Sequence, residues 1–176
     1  MTKVLVVIGS ARKGRVADVI AGYVKDEIAK HNGVEATIAD LKEFELPFFD
    51  NELIPSNPQY TIDNENVKKW QSTVGSSDVV VLLTPEYNRG LSAIQKNAID
   101  WLKDEWEDKK IAIIGYNWGK TIALDNLRAV LDNLKSDVIE PITHLRFMQE
   151  INPDGSFIDE EATRKQISLT ITDALA

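Results

Sequence analysis

A three-layer α/β fold, with helices on both faces of a five-stranded parallel sheet, is predicted by two features: short unbroken β-branched runs, and helical periodicity in the stretches between them. The first run, Lys3-Val4-Leu5-Val6-Val7-Ile8, has no polar alternation and stops at Gly9-Ser10. A strand apolar on both faces belongs inside a parallel sheet. From about Arg15 to Lys30 the residues Val16, Val19, Ile20, Tyr23, Val24 and Ile28 recur at helical spacing, and Asn32-Gly33 ends that helix.

The pattern then repeats. Val34 to Ala39 reads as a strand, Asn64 to Val74 as a helix, and Asp78 to Thr84 as the central strand. A helix over Ser92 to Leu102, a strand over Ile111 to Gly115 and a helix over Thr121 to Leu134 follow. Val138 to Phe147 reads as an irregular strand region, and Asp159 caps a closing helix that runs to Leu175. Five strands alternating with five helices, joined by right-handed crossovers, predict one flavodoxin-like domain over residues 1–176 with strand order 2-1-3-4-5. Leu46 to Tyr60, carrying Pro47, Pro55 and Pro58, reads as a long loop, and Phe44, Leu46, Phe48 and Phe49 beside it are expected to pack on the sheet or on a second subunit.

Composition narrows the function classes. A hydrophobic content of 43% over 176 residues supports one substantial core, and no apolar run approaches the length of a membrane helix. The net charge of −8, from 28 acidic and 20 basic residues, opposes nucleic-acid backbones and anionic membranes as partners, and a cytoplasmic location is expected. With no cysteine there is neither thiolate chemistry nor a Cys-ligated metal, so redox chemistry would have to come from a bound cofactor. His31 and His144 lie far apart in the fold and are not expected to hold a metal; Trp70 and Trp106 read as packing residues.

Ligands of such sheets sit beyond the carboxyl ends of the strands where the strand order reverses, which directs attention to Gly9–Arg15, Thr84–Gly90 and Gly115–Lys120. The first loop combines the free amides of a helix start with the hydroxyl of Ser10 and the cations Arg12, Lys13 and Arg15, a set suited to a phosphate. It has neither the Lys-Ser/Thr ending of a nucleoside-triphosphate loop nor G-x-G-x-x-G spacing, and the alternative to a phosphate site is a solvated basic turn that merely ends the strand. In the second loop Pro85 stiffens the backbone, Tyr87 offers an aromatic wall, and successive amides could meet the edge of a flat heteroaromatic ring. The alternative is an ordinary turn in which Asn88 and Gly90 serve backbone conformation.

Four stretches in order, Ile8-Gly9-Ser10-Ala11-Arg12, Leu46-Pro47-Phe48-Phe49-Asp50, Thr84-Pro85-Glu86-Tyr87-Asn88 and Lys96-Asn97-Ala98-Ile99-Asp100-Trp101-Leu102, resemble the NADPH-dependent FMN reductase family, which includes quinone, chromate and azo reductases. The resemblance implies FMN, with its phosphate at Ser10, Arg12 and the amides around Arg15 and Val16. The flavin ring would lie against Pro85, Glu86, Tyr87 and Asn88, with a third wall from the loop Gly115-Tyr116-Asn117-Trp118-Gly119. It implies NADPH or NADH as co-substrate, a flavin, quinone, azo or metal-oxyanion acceptor, and a homodimer or homotetramer. The chemistry would be carried by the flavin, with no catalytic side chain and no metal.

This chain departs from the pattern in two places. Ser92-Ala93 replaces a Pro-Gly pair, with Gln95 where an apolar residue is common, and the glycine-rich third loop is replaced by Trp118-Gly119-Lys120-Thr121. Trp118 would either stack on a ring or fill part of the pocket. A non-catalytic flavin carrier is the rival reading, yet the hydroxyl-rich phosphate loop of flavodoxins is absent. A nucleoside deoxyribosyltransferase would use Glu86 as nucleophile, and a receiver domain would need an Asp where Thr84 stands.

Overall fold

The computed structural model describes residues 1–176 as a parallel sheet between two helical layers. The strands are β1 (Thr2–Ile8), β2 (Val34–Asp40), β3 (Val79–Pro85), β4 (Lys110–Asn117), β5 (Asp137–Val138) and β6 (Thr143–Arg146). Their order is β2-β1-β3-β4-β5, with β6 also paired to β4, and every pairing is parallel. The helices are α1 (Ala17–Ile28), α2 (Leu41–Phe44), α3 (Glu65–Gly75), α4 (Ala93–Asp100), α5 (Ile122–Asn133) and α6 (Glu160–Leu175).

The period of two in each strand divides the core. Val4, Val6 and Ile8 of β1, with Val79, Val81 and Leu83 of β3, pack beneath α1 and α6. Leu5, Val7, Val80 and Leu82 face the opposite way, toward α3, α4 and α5. Both clusters are fully buried, which is why these strands carry no polar alternation. Trp70 and Trp106 lie in the second layer, with their indole N–H groups donating to the carbonyls of Ala98 and Ile99 at 2.7 and 3.2 Å.

Three details differ from the sequence expectation. The single region from Val138 to Phe147 is two short strands, β5 against the start of β4 and β6 against its end. Pro141, which has no N–H to donate to a ladder, lies between them. Residues 41–44 form a one-turn helix that the pattern did not announce, capped by the Asp40 side chain accepting from the Lys42 N–H at 3.0 Å. The helix expected to reach Leu102 ends at Asp100.

The 46–60 loop is draped over α4. Asn97 fastens it, its Oδ1 accepting from the Phe49 N–H at 2.9 Å and its Nδ2 donating to the Pro47 carbonyl at 2.8 Å. Trp101 donates to the same carbonyl and meets Phe49 edge-on. Phe44 is buried against Trp70, whereas Phe48 stands 77% exposed.

Candidate functional site

At the carboxyl end of the sheet, where the order turns from β1 to β3, the three loops enclose a crevice of about 250 Å³. The first loop supplies Ser10, Arg12, Arg15 and Val16 to its wall, the second Pro85, Glu86 and Tyr87, and the third Tyr116 and Trp118. Asn117, Phe147 and Pro153 complete it. Two residues expected there take other places. Asn88 (φ +49) and Arg89 (φ +69) form a tight two-residue hairpin closed by Tyr87 and Gly90, which exchange hydrogen bonds of 2.9 and 3.0 Å, and Asn88 does not line the crevice. Gly115 is a glycine for packing: a Cβ there would come within 2.4 Å of Leu124 on α5.

The first loop is built for an anion. None of its main-chain N–H groups from Ser10 to Asp18 makes a well-formed hydrogen bond to a protein acceptor, and α1 begins without a side-chain cap. The cations divide unequally. Arg15 forks onto Asp40 at the end of β2 and also meets Asp18, so its guanidinium is committed to holding the loop, while its amide stays free. Burial pushes the Asp40 carboxyl up, but the Arg15 guanidinium and the Lys42 amide outweigh this and hold it below the usual aspartate range. Arg89, Arg128, Arg146 and Arg164 likewise sit against carboxylates, whereas Arg12 lines the crevice without an acidic partner.

Behind the loop the backbones crowd. A Cβ on Gly9 would lie 2.6 Å from the Leu83 carbonyl and 2.7 Å from the Gln95 carboxamide, so the close approach of the chain after β1 to β3 and α4 admits only glycine here. Ser92 donates its hydroxyl to the Gly9 carbonyl and receives the Gln95 N–H, joining α4 to the loop. Gln95 is buried; its Nε2 donates to Thr84 Oγ1 at 3.1 Å and its Oε1 has no partner.

Polar groups on the crevice wall are tightly arranged. Ser10 Oγ and the Tyr87 hydroxyl share a hydrogen bond of 2.5 Å. The Tyr116 hydroxyl is buried without a hydrogen-bond partner, and burial, followed by the neighbouring Tyr87, pushes its ionisation above the ordinary tyrosine range. Glu86 meets the amino end of α5 through the Ala123 N–H at 3.5 Å and lies 3.7 Å from Arg89.

Asn117 organises the third loop. Its Oδ1 accepts the N–H groups of Gly119 (2.7 Å) and Lys120 (3.1 Å) and lies 2.9 Å from His144 Nε2. The two backbone donors fix which amide atom is the oxygen, so His144 must carry its proton on Nε2. Asn117 Nδ2 is left buried without an acceptor. Burial, then the charge of Arg146, hold the His144 ionisation below the usual histidine value.

A doubly wound sheet with an amide-lined, cationic crevice at its switch point defines a flavodoxin-like nucleotide-binding protein. Residues 2–145 match the family described as NADPH-dependent FMN reductase. The chain belongs to that family and is an FMN-dependent oxidoreductase drawing on NAD(P)H. It is 33% identical over 175 residues to the NAD(P)H-dependent FMN reductase LOT6 of Saccharomyces cerevisiae, covering 90% of this chain and 92% of that one. It is 32% identical over 162 residues to an FMN-dependent NADPH-azoreductase of Staphylococcus aureus, covering 88% and 83%. The fold matches that of FerB, a flavoenzyme NAD(P)H:(acceptor) oxidoreductase of Paracoccus denitrificans, with a TM-score of 0.76 at 23% identity, over 99% of this chain and 98% of that one.

Phe147 and Pro153 lie beyond the family match, and nothing in their local sequence announced them. Asn117 stood in the third loop, and its capping role had a local signal: an Asn two residues before a glycine.

Proposed function

We propose that the crevice holds FMN by its phosphate at the first loop and by its ring between the second and third loops, and that the protein reduces a flavin, quinone, azo or metal-oxyanion acceptor. The observation that carries the placement is the run of unpaired amides from Ser10 to Asp18 beside Arg12, the arginine without a carboxylate partner. Such a combination fits a phosphomonoester, because free helix-start N–H groups and an unpaired guanidinium both favour a dianion. The unpartnered Asn117 Nδ2 and Tyr116 hydroxyl fit a ligand rich in acceptor atoms, since buried donors left without partners are costly.

The chemistry the cofactor supplies when bound is two-electron transfer from NAD(P)H to the acceptor. The protein's part is position. Arg12 and the loop amides would hold the phosphate, and Pro85 and Tyr87, the latter fixed by its bond to Ser10, would line the ring. Tyr116 stays a neutral phenol at working pH, so it can donate a hydrogen bond without adding negative charge beside the phosphate.

The test is a titration of the purified protein with FMN, read by quenching of flavin fluorescence, followed by stopped-flow mixing with NADPH. Saturable binding and rapid bleaching of the flavin band are expected; a band that bleaches no faster than that of free FMN overturns the reading.

The further proposal is a homodimer or homotetramer acting in the cytoplasm, where reduced nicotinamide is available. Supporting assembly are the exposed Phe48 and Ile54 on the 46–60 loop, apolar side chains that a second copy would cover. Sedimentation as a monomer at working concentration overturns it. No helix is long and apolar enough to cross a membrane.

A further inference from the structure

We propose that Trp118 and Phe147 form a stacking shelf at the crevice mouth that binds the planar aromatic acceptor and so sets which acceptors the protein prefers. The proposal rests on the reading above, in which the crevice holds FMN and admits a second substrate.

Trp118 is 73% exposed, although it belongs to one of the most water-averse residue types. It does not fill the crevice but stands at its wall, leaning on Phe147 with ring centroids 5.1 Å apart and planes tilted by 36°. An exposed aromatic on a loop is usually free to move; this one is fixed from both sides. On the Trp118 side, Asn117 Oδ1 gathers the Gly119 and Lys120 amides, and His144 holds Asn117. Gly119, at φ +99, makes the turn that such gathering needs. On the Phe147 side, the Phe147 N–H donates to the Asn117 carbonyl at 2.8 Å, and the residue bridges to Ile151 in the core. The same asparagine therefore positions both rings.

A rigid, solvent-facing indole loses little conformational freedom when a flat ring lies on it, so stacking there is productive. The loop adds one cation: Lys120, two residues after the indole, has no carboxylate partner and favours a planar aromatic bearing an anionic group, whereas Arg12 is committed to the phosphate.

The probe is anthraquinone-2-sulfonate, titrated calorimetrically into the FMN-loaded protein without reductant. Trp118→Ala is expected to weaken its binding about tenfold, and Trp118→Phe to restore it to within about twofold, with each variant held saturated by FMN so that the reading reports the probe alone. With NADPH and saturating FMN, Trp118→Ala should raise KM for the quinone more than KM for ferricyanide, which is octahedral and cannot stack. Unchanged probe binding in Trp118→Ala overturns the shelf. So does weakened binding accompanied by loss of assembly in sedimentation, because Trp118 would then act through a subunit contact. The FMN titration of the unaltered protein separates the two failures: absent FMN binding removes the function proposed above and the shelf with it, whereas normal FMN binding with an indifferent Trp118→Ala removes the shelf alone.

Discussion

Arg15 Nη1 donates to Asp40 Oδ1 at 2.8 Å, and the second arm of the guanidinium reaches the other carboxylate oxygen, tying the loop after β1 to the end of β2. The same guanidinium also donates to the Ser10 carbonyl, so it braces the loop from inside. Arg15→Met should therefore act on stability first: a loss of about 2 kcal/mol is expected in urea unfolding, since the variant strands a partly buried carboxylate. Adding Asp40→Asn should recover part of that loss. Additive losses in the double variant would show that the two side chains do not interact.

Arg12→Ala should show the opposite profile. Its guanidinium has no protein acceptor, so urea stability should stay within about 0.5 kcal/mol of the parent. FMN binding should weaken by about 1.5 to 3 kcal/mol, the range for a charge-assisted hydrogen bond. Riboflavin, which lacks the phosphate, should bind both proteins alike. An equal loss for riboflavin would move Arg12 away from the phosphate.

Gln95→Met should be neutral or stabilising by up to about 1 kcal/mol. The change removes a buried oxygen without a partner, and Thr84 Oγ1 keeps its contact with the Leu82 carbonyl. Met is flexible enough to fill the narrow space against Gly9. A loss above about 1.5 kcal/mol would mean that the carboxamide oxygen finds a partner, such as a buried water.

The His144 ring should make the protein acid-sensitive. Because burial and Arg146 lower its ionisation in the folded state, the unfolded chain takes up the proton first as pH falls through about 6.5. Stability from this group is thus full above that pH and is lost below it, until the folded ring protonates as well. Glu150 and Glu86 face the ring and limit the effect. His144→Gln, which keeps a donor for Asn117, should flatten the slope of unfolding free energy between about pH 7 and 5. An unchanged slope would assign the acid sensitivity to other groups.

The central strands were legible because a strand segment buried on both faces must be apolar, and Val4–Ile8 of β1 and Val79–Leu83 of β3 are. The location of the crevice was legible too, since strand order alone places it. What escaped was either too short or too distant in sequence. A four-residue helix such as α2 has no room to show a period, and Pro141 divides a strand signal that read as continuous. Arg15 read as a free cation because its partner Asp40 is 25 residues away. Gly115 read as part of the ring's third wall because a glycine at a strand end does not reveal whether its bare face meets a cofactor or, as here, Leu124.

The segment after β6 rests on α1 through Gly155, whose missing side chain leaves room for Val16 and Val19, and it brings Pro153 to the crevice. It takes no part in the ladders joining β1 to β4. The molecule thus separates grip from aperture: the cofactor end is written into the middle of the sheet, and the opening is trimmed by a piece of its edge. Changing Pro153 while keeping Ile151, Gly155 and Phe157, which seat the segment on the core and on α1, reshapes what enters without disturbing the anion cradle.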